Sequence, residues 1–338
     1  MDQASLATPP AAASGTTAGP RRNWSLRPEH ARETQGLVVS SFAHLPAAEA
    51  MFLRLDRADG AWLRALREVA PVTAADSKEN EASTAIAFTW SGLKMLGLDK
   101  DALASFSRPF REGMHQEDRR RRLGDVDGLT VVDGGPQWSG NADHAGQEQV
   151  PPSAPTVHAL LLIYARDDAA LDRRVAAVAA VLQREEVAVF RKLRLSLKRD
   201  SDGRTREHFG FADGFSQPIP RGSGIVPPAG MPETGHPWHG IEAGEILIGH
   251  RNAYDEDAPG PVVVGAADPQ GLLPKGAVPE GFSDLGRNGT YMVVRELRQD
   301  VAAFWTSLDQ AAAARGEPGV DAEWLAARII GRERDGIS

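Results

Sequence analysis

The chain has 338 residues, 41% of them hydrophobic and 25% charged, with a formal net charge of −8. That length and balance fit a globular chain with room for two domains. The acidic charge argues against nucleic acid as the main partner, and no apolar run approaches the ~20 residues of a membrane-crossing helix. Cysteine is absent, which removes disulfides, thiolate nucleophiles and cysteine-bound metals and fits a reducing compartment.

In chain order, residues 1–28 are rich in Ala, Pro, Ser, Thr and Gly and read as a disordered tail. Arg21-Arg22 is followed by Asn23, Trp24 and Ser25 rather than an apolar region, so no export signal is expected and the location is expected to be cytoplasmic. Order begins near Gln35–Val39. Met51–Leu55 reads as a strand and Ala61–Val69 as an amphipathic helix with Trp62, Leu66 and Val69 on one side. Thr84–Thr89 is a strand candidate before a short helix at Trp90–Leu96. Arg119–Arg122 sits among Glu117, Asp118 and Asp125 and reads as a solvated helix face. His158–Tyr164 is the most strand-like run, followed by an acidic helix start at Asp167-Asp168 and a helix over Ala169–Leu182. Ile246–Gly249 and Tyr291–Val294 are further strand candidates, the second followed by a helix over Val301–Ala313. Recurrent strand–helix units predict an α+β fold built from ferredoxin-like halves. A doubly wound parallel sheet competes, without a glycine-rich phosphate loop after any strand.

Two stretches break this order, Asp133–Pro155 and Pro218–Glu245, and both read as long loops. His236, His239, Glu242 and Glu245 recur every three residues, but Pro237, Gly240 and Gly244 oppose a helix there, so a metal face is not expected. Asp125-Val126-Asp127-Gly128 is too short for a calcium loop. The chain has no serine nucleophile elbow, no phosphate-loop lysine motif and no HExxH. The informative run is Glu207–Pro218, EHFGFADGFSQP. Asp213-Gly214 alone is a turn signal. Phe209, Phe211 and Phe215 beside it also suit a carboxylate working as a proton shuttle in a dry pocket.

This run resembles the GxxDG motif of the dye-decolorizing (DyP-type) haem peroxidases, here Gly210-Phe211-Ala212-Asp213-Gly214 with matching flanks from His208 to Pro218. Gln35-Gly36, Ala87–Leu98, Ser105–Met114, Gly244–His250, Arg287–Trp305 and Trp324–Gly336 are similar to other blocks of the family, so the resemblance covers about residues 35–336. It implies two ferredoxin-like domains of the dimeric α+β barrel type holding haem b: residues 29–188, and residues 189–338 carrying the motif, with the C-terminal part of the second domain missing. It implies a peroxidase using hydrogen peroxide and an organic reductant such as a dye or phenol, without nucleic acid or membrane, and compatible with a homo-oligomer. Asp213 would be the distal acid–base residue, moving a proton between the two peroxide oxygens. Phe211, Gly214, Phe215 and Ser216 would border the haem, and His208 would reach a propionate. A carboxyl with an ordinary pKa near ~3.9 in that role predicts activity best at acid pH. The family's proximal histidine and distal arginine lie beyond its GRxxxG block, whereas no histidine follows His250 here, so no metal ligand is assigned and a truncated chain is expected. The alternative is a haem-free, inactive homologue or fragment serving as a binding or scaffold protein.

Overall fold

The computed structural model describes residues 28–336 except 40–41, 43, 58, 78, 115, 125–155, 197–198, 202, 215–217, 222–239 and 275. The expected tail therefore lies outside the described residues, apart from Pro28. So do most of both long loops, the Asp125–Gly128 run, and His236 and His239.

Helices α1 (Pro28–Glu33) and α2 (Gly36–Val39) lead into strand β1 (Ala47–Arg54), helix α3 (Ala61–Val69) and strand β2 (Ala82–Phe88). Short helices α4 (Trp90–Met95), α5 (Lys100–Ser105), α6 (Arg108–Glu112) and α7 (Glu117–Leu123) follow. Strand β3 (Ala159–Ala165), helix α8 (Asp168–Arg184) and strand β4 (Ala188–Ser196) complete the first unit. Its four strands lie in the order β2-β3-β1-β4, every neighbouring pair antiparallel, with two strand–helix–strand crossovers. This is the ferredoxin-like arrangement that the recurrent strand–helix pattern predicts, and the fold is α+β.

Alternation along the strands decides what each face covers. Met51, Leu53, Leu161 and Ile163 pack with Trp62 and Leu66 of α3 and with Leu171, Val178 and Leu182 of α8. The other face carries Ala50, Phe52, Ala85, Leu160 and Leu162 and is covered in part by Leu37 and Val294. Helix α8 starts where the acidic pair predicts: the Asp167 carboxylate accepts the Ala170 N–H at 2.7 Å. That bond, with Arg166 beside it, holds the Asp167 carboxyl below its ordinary range.

An exposed strand edge is a template for unwanted pairing. On β2 the outer edge is occupied by side chains from before it in sequence. Gln35 Oε1 accepts from Ile86 N at 2.9 Å and Nε2 donates to Ile86 O at 2.8 Å. Thr73 serves Thr84 in the same way, through its backbone N–H at 2.9 Å and its hydroxyl at 3.1 Å.

The second half is built differently. Strands β5 (Ile219–Pro220) and β6 (Gly240–Ile241) form one short parallel pair, and β7 (Val262–Val264) and β8 (Phe282–Asp284) one short antiparallel pair. Helices α9 (Val301–Arg315) and α10 (Ala322–Ile330) follow and pack on one another. Two expectations are corrected. Tyr291–Val294 is no strand: it joins no ladder among the described residues, and Val294 lies instead on the first sheet's second face. Ile246–Gly249 is a turn, because Gly244 packs so closely on the backbone of residues 250–251 that a Cβ there would stand 2.3 Å from the His250 carbonyl oxygen. Strand β4 begins at Ala188 and pairs with β1, so residues 188–196 belong to the same sheet as β1, β2 and β3.

Candidate functional site

The motif forms a small hairpin. Arg206 and Ala212 pair as an antiparallel bridge, Asp213 N donates to Thr205 O at 2.9 Å, and Glu207 N donates to Phe211 O at 3.0 Å. Gly210 makes the turn at φ +97°, a left-handed conformation that suits glycine. The Glu207 carboxylate folds over this turn and accepts from Phe209 N at 2.9 Å and Phe211 N at 2.8 Å, satisfying donors that the turn leaves without ladder partners. Gln299 Nε2 reaches the same carboxylate at 3.3 Å.

The aromatic residues fasten this hairpin to the body. Phe211 is buried, stacks parallel to Trp305 with ring centroids 6.3 Å apart, and packs with Leu308 and Ala326. Phe209 lies 4.4 Å from the ring of Phe304, and its carbonyl accepts from Trp305 Nε1 at 3.2 Å.

Past this anchor the chain emerges. Asp213 and Gly214 are both exposed. Asp213 Oδ1 accepts from Gly214 N at 2.7 Å, and Gly214, at φ +84°, has open space where a Cβ would stand. His208 is exposed on the same hairpin. Thus Asp213, Gly214 and His208 share one exposed loop, while Phe211 points the other way into the core. Phe215 and Ser216 lie outside the described residues. The supporting residues Arg206, Glu207, Trp305 and Arg334 were not singled out from sequence; Glu207 carried a usable signal, an acid two residues before a glycine-containing turn.

A second polar centre joins the halves. His250 Nε2 and Asn288 Oδ1 are 2.7 Å apart, and Asn288 Nδ2 donates to Glu33 of α1 at 2.6 Å. Because Asn288 uses its amide hydrogen on Glu33, Nε2 of His250 carries the proton between them. Burial lowers the His250 pKa from its ordinary value, against the opposing Asn288 bond, with Arg287 and His30 adding to the lowering and Asp257 opposing it. The His30 ring meets His250 edge-on at 4.8 Å.

Among the described residues, then, the exposed Asp213 carboxylate stands beside a Gly214 that no side chain covers. Iron ligation is a separate matter. The described histidines other than His208 are engaged elsewhere: His158 Nδ1 accepts from Leu55 N at 2.9 Å, His44 Nε2 is 2.8 Å from Glu79 O, and His30 and His250 pack together. Among the described residues no cluster of three His, Asp or Glu side chains could hold a metal ion. No described helix is long and apolar enough to cross a membrane.

No protein-family model and no curated protein matches the chain. Solved structures do. A dye-decolorizing peroxidase in complex with 2,6-dimethoxyphenol is 21% identical with a TM-score of 0.59, over 89% of this chain and 58% of that one. A variant of the dye-decolorizing peroxidase from Pleurotus ostreatus is 18% identical with a TM-score of 0.60, over 90% of this chain and 58% of that one. The decolorizing peroxidase from Auricularia auricula-judae is 19% identical with a TM-score of 0.54, over 86% and 54%. The chain therefore shares the fold of dye-decolorizing peroxidases and spans somewhat more than half the length of these structures.

Proposed function

We propose that the chain is a peroxidase of the dye-decolorizing type, acting on hydrogen peroxide with an organic reductant, and that Asp213 is its acid–base residue. The observation that carries this reading is the exposed Asp213 carboxylate beside the open space at Gly214, on a hairpin anchored by Phe211 in a fold shared with such enzymes. Haem b, when bound, supplies the iron at which peroxide is cleaved. The chain's own part is to border it with Gly214, Phe215 and Ser216, to offer His208 to a propionate, and to move one proton. Asp213 would take the proton from one peroxide oxygen and return it to the other, which departs as water, while the organic reductant supplies the two electrons that, with two protons, bring the remaining oxygen to water. The Phe211–Trp305 stack acts from behind by fixing the loop's direction rather than by touching the ligand.

A haem-free binding or scaffold protein is the second reading, favoured by the engagement of most described histidines with other residues. Titration of the purified chain with haem separates the two. A Soret band at one haem per chain, with peroxide-dependent dye oxidation that Asp213→Asn abolishes, supports the enzyme. A folded chain that gives no band supports the scaffold.

A further inference from the structure

We propose that Arg334 is the positioning residue of this site, clamping the 205–213 hairpin so that Asp213 is presented to the open space beside Gly214. The inference rests on the reading of Asp213 given above, but the contacts that carry it do not. They converge from both ends of one residue. The Arg334 carbonyl accepts from Ala212 N at 2.8 Å, one residue before Asp213, and also from Arg206 Nη1. The guanidinium stands 4.5 Å over the Trp305 ring, donates to Phe209 O at 3.4 Å, and pairs with Glu323 of α10 at 3.0 Å. It thus touches the hairpin's turn while its carbonyl holds the returning arm.

Two features show how closely the parts fit. A Cβ on Gly210 would stand 2.8 Å from Arg334 Nη2, so the turn lies directly against the end of the guanidinium. The neighbouring Arg204 donates to Asp335 O at 2.8 Å, which ties the same two segments a second time. Glu207 closes the turn upon itself, whereas Arg334 sets the hairpin's angle to α9 and α10. A lysine would keep a cation over Trp305 but lose the planar fork.

Amide hydrogen exchange on the full chain without haem tests the clamp directly. In Arg334→Ala the amides of Phe211, Ala212 and Asp213 are expected to exchange at least tenfold faster, with β1 and β3 unchanged, and Arg334→Lys should recover part of that protection. If Arg334→Ala loosens the whole chain, the lysine variant decides: recovery at residues 211–213 supports the clamp, and failure to recover there contradicts it. Equal exchange at these amides in wild type and both variants overturns it outright. On the haem-loaded chain, Arg334→Ala should lower kcat for dye oxidation about tenfold to a hundredfold with KM for the dye unchanged, as misplacement of an acid–base group predicts. An unchanged kcat, or a loss confined to KM, contradicts the positioning role. A wild-type chain inert to peroxide while the exchange pattern holds would sink the reading of Asp213 and leave the clamp standing.

Discussion

Residues 47–196 and residues 199–336 solve the same problem by different means. In the first stretch the backbone polar groups are paired along three antiparallel ladders, and apolar side chains from both crossover helices close one face of the sheet. In the second, the ladders are two or three residues long and side chains do the stitching: Glu207 onto the backbone across its turn, Asp284 onto Gly286 N and Arg287 N, and Asn288 from the His250 side chain to that of Glu33 in α1. A ladder distributes its stability over many equivalent bonds, whereas a staple concentrates it on one side chain. The first half should therefore answer to loss of apolar volume and the second to loss of single polar groups.

The largest effect is expected from Leu161→Ala. Leu161 is fully buried on the central strand β3, and removing it should cost about 2–5 kcal/mol, read as a lower midpoint in denaturant unfolding with an unchanged slope. Glu207→Ala comes next: two backbone N–H groups lose their acceptor at about 1–3 kcal/mol, and hydrogen exchange should place the loss in residues 207–213 rather than in β1 or β3. If Leu161→Ala and Glu207→Ala both opened the whole chain equally, the contrast between ladder and staple would be wrong. Gly210→Ala is smaller, about 1–2 kcal/mol for the left-handed backbone, and thermal melts report it.

The smallest effect is one of pH. Because burial lowers the folded-state pKa of His250, its neutral form contributes stability that is fully present above the ordinary histidine value of ~6.5 and is lost as pH falls from there through the folded value. Melting temperatures of wild type should therefore decline on acidification below that point, and His250→Gln should flatten this limb. A decline of the same shape in the variant would assign it to other groups.

Much of the first half is legible in the sequence because its signals are local. The apolar run before Asp167-Asp168 is β3, and the acid after it caps α8 as its position implies. Strand β4 is less legible: exposed Lys192, Arg194 and Ser196 alternate with half-buried Leu193 and Leu195, so it lacks the continuous apolar run that marks β3. Tyr291–Val294 has strong strand propensity, yet propensity without a neighbouring strand makes no ladder. At the site, the acid and the glycines mark the turn, and Asp213 stands exposed on it. The direction of Phe211 was not legible, because whether an aromatic ring in a loop faces a ligand or the core depends on Trp305 and Leu308, about a hundred residues away along the chain. Arg334 was hidden for the same reason.

Whether the loop bearing Asp213 borders a haem site is decided by haem titration of the intact chain, followed at the Soret band. Saturable binding at one haem per chain is expected, with the band retained in Asp213→Asn while peroxide-dependent dye oxidation is lost. A folded chain showing no saturable band, or an Asp213→Asn variant that oxidises dye as fast as wild type, would contradict it.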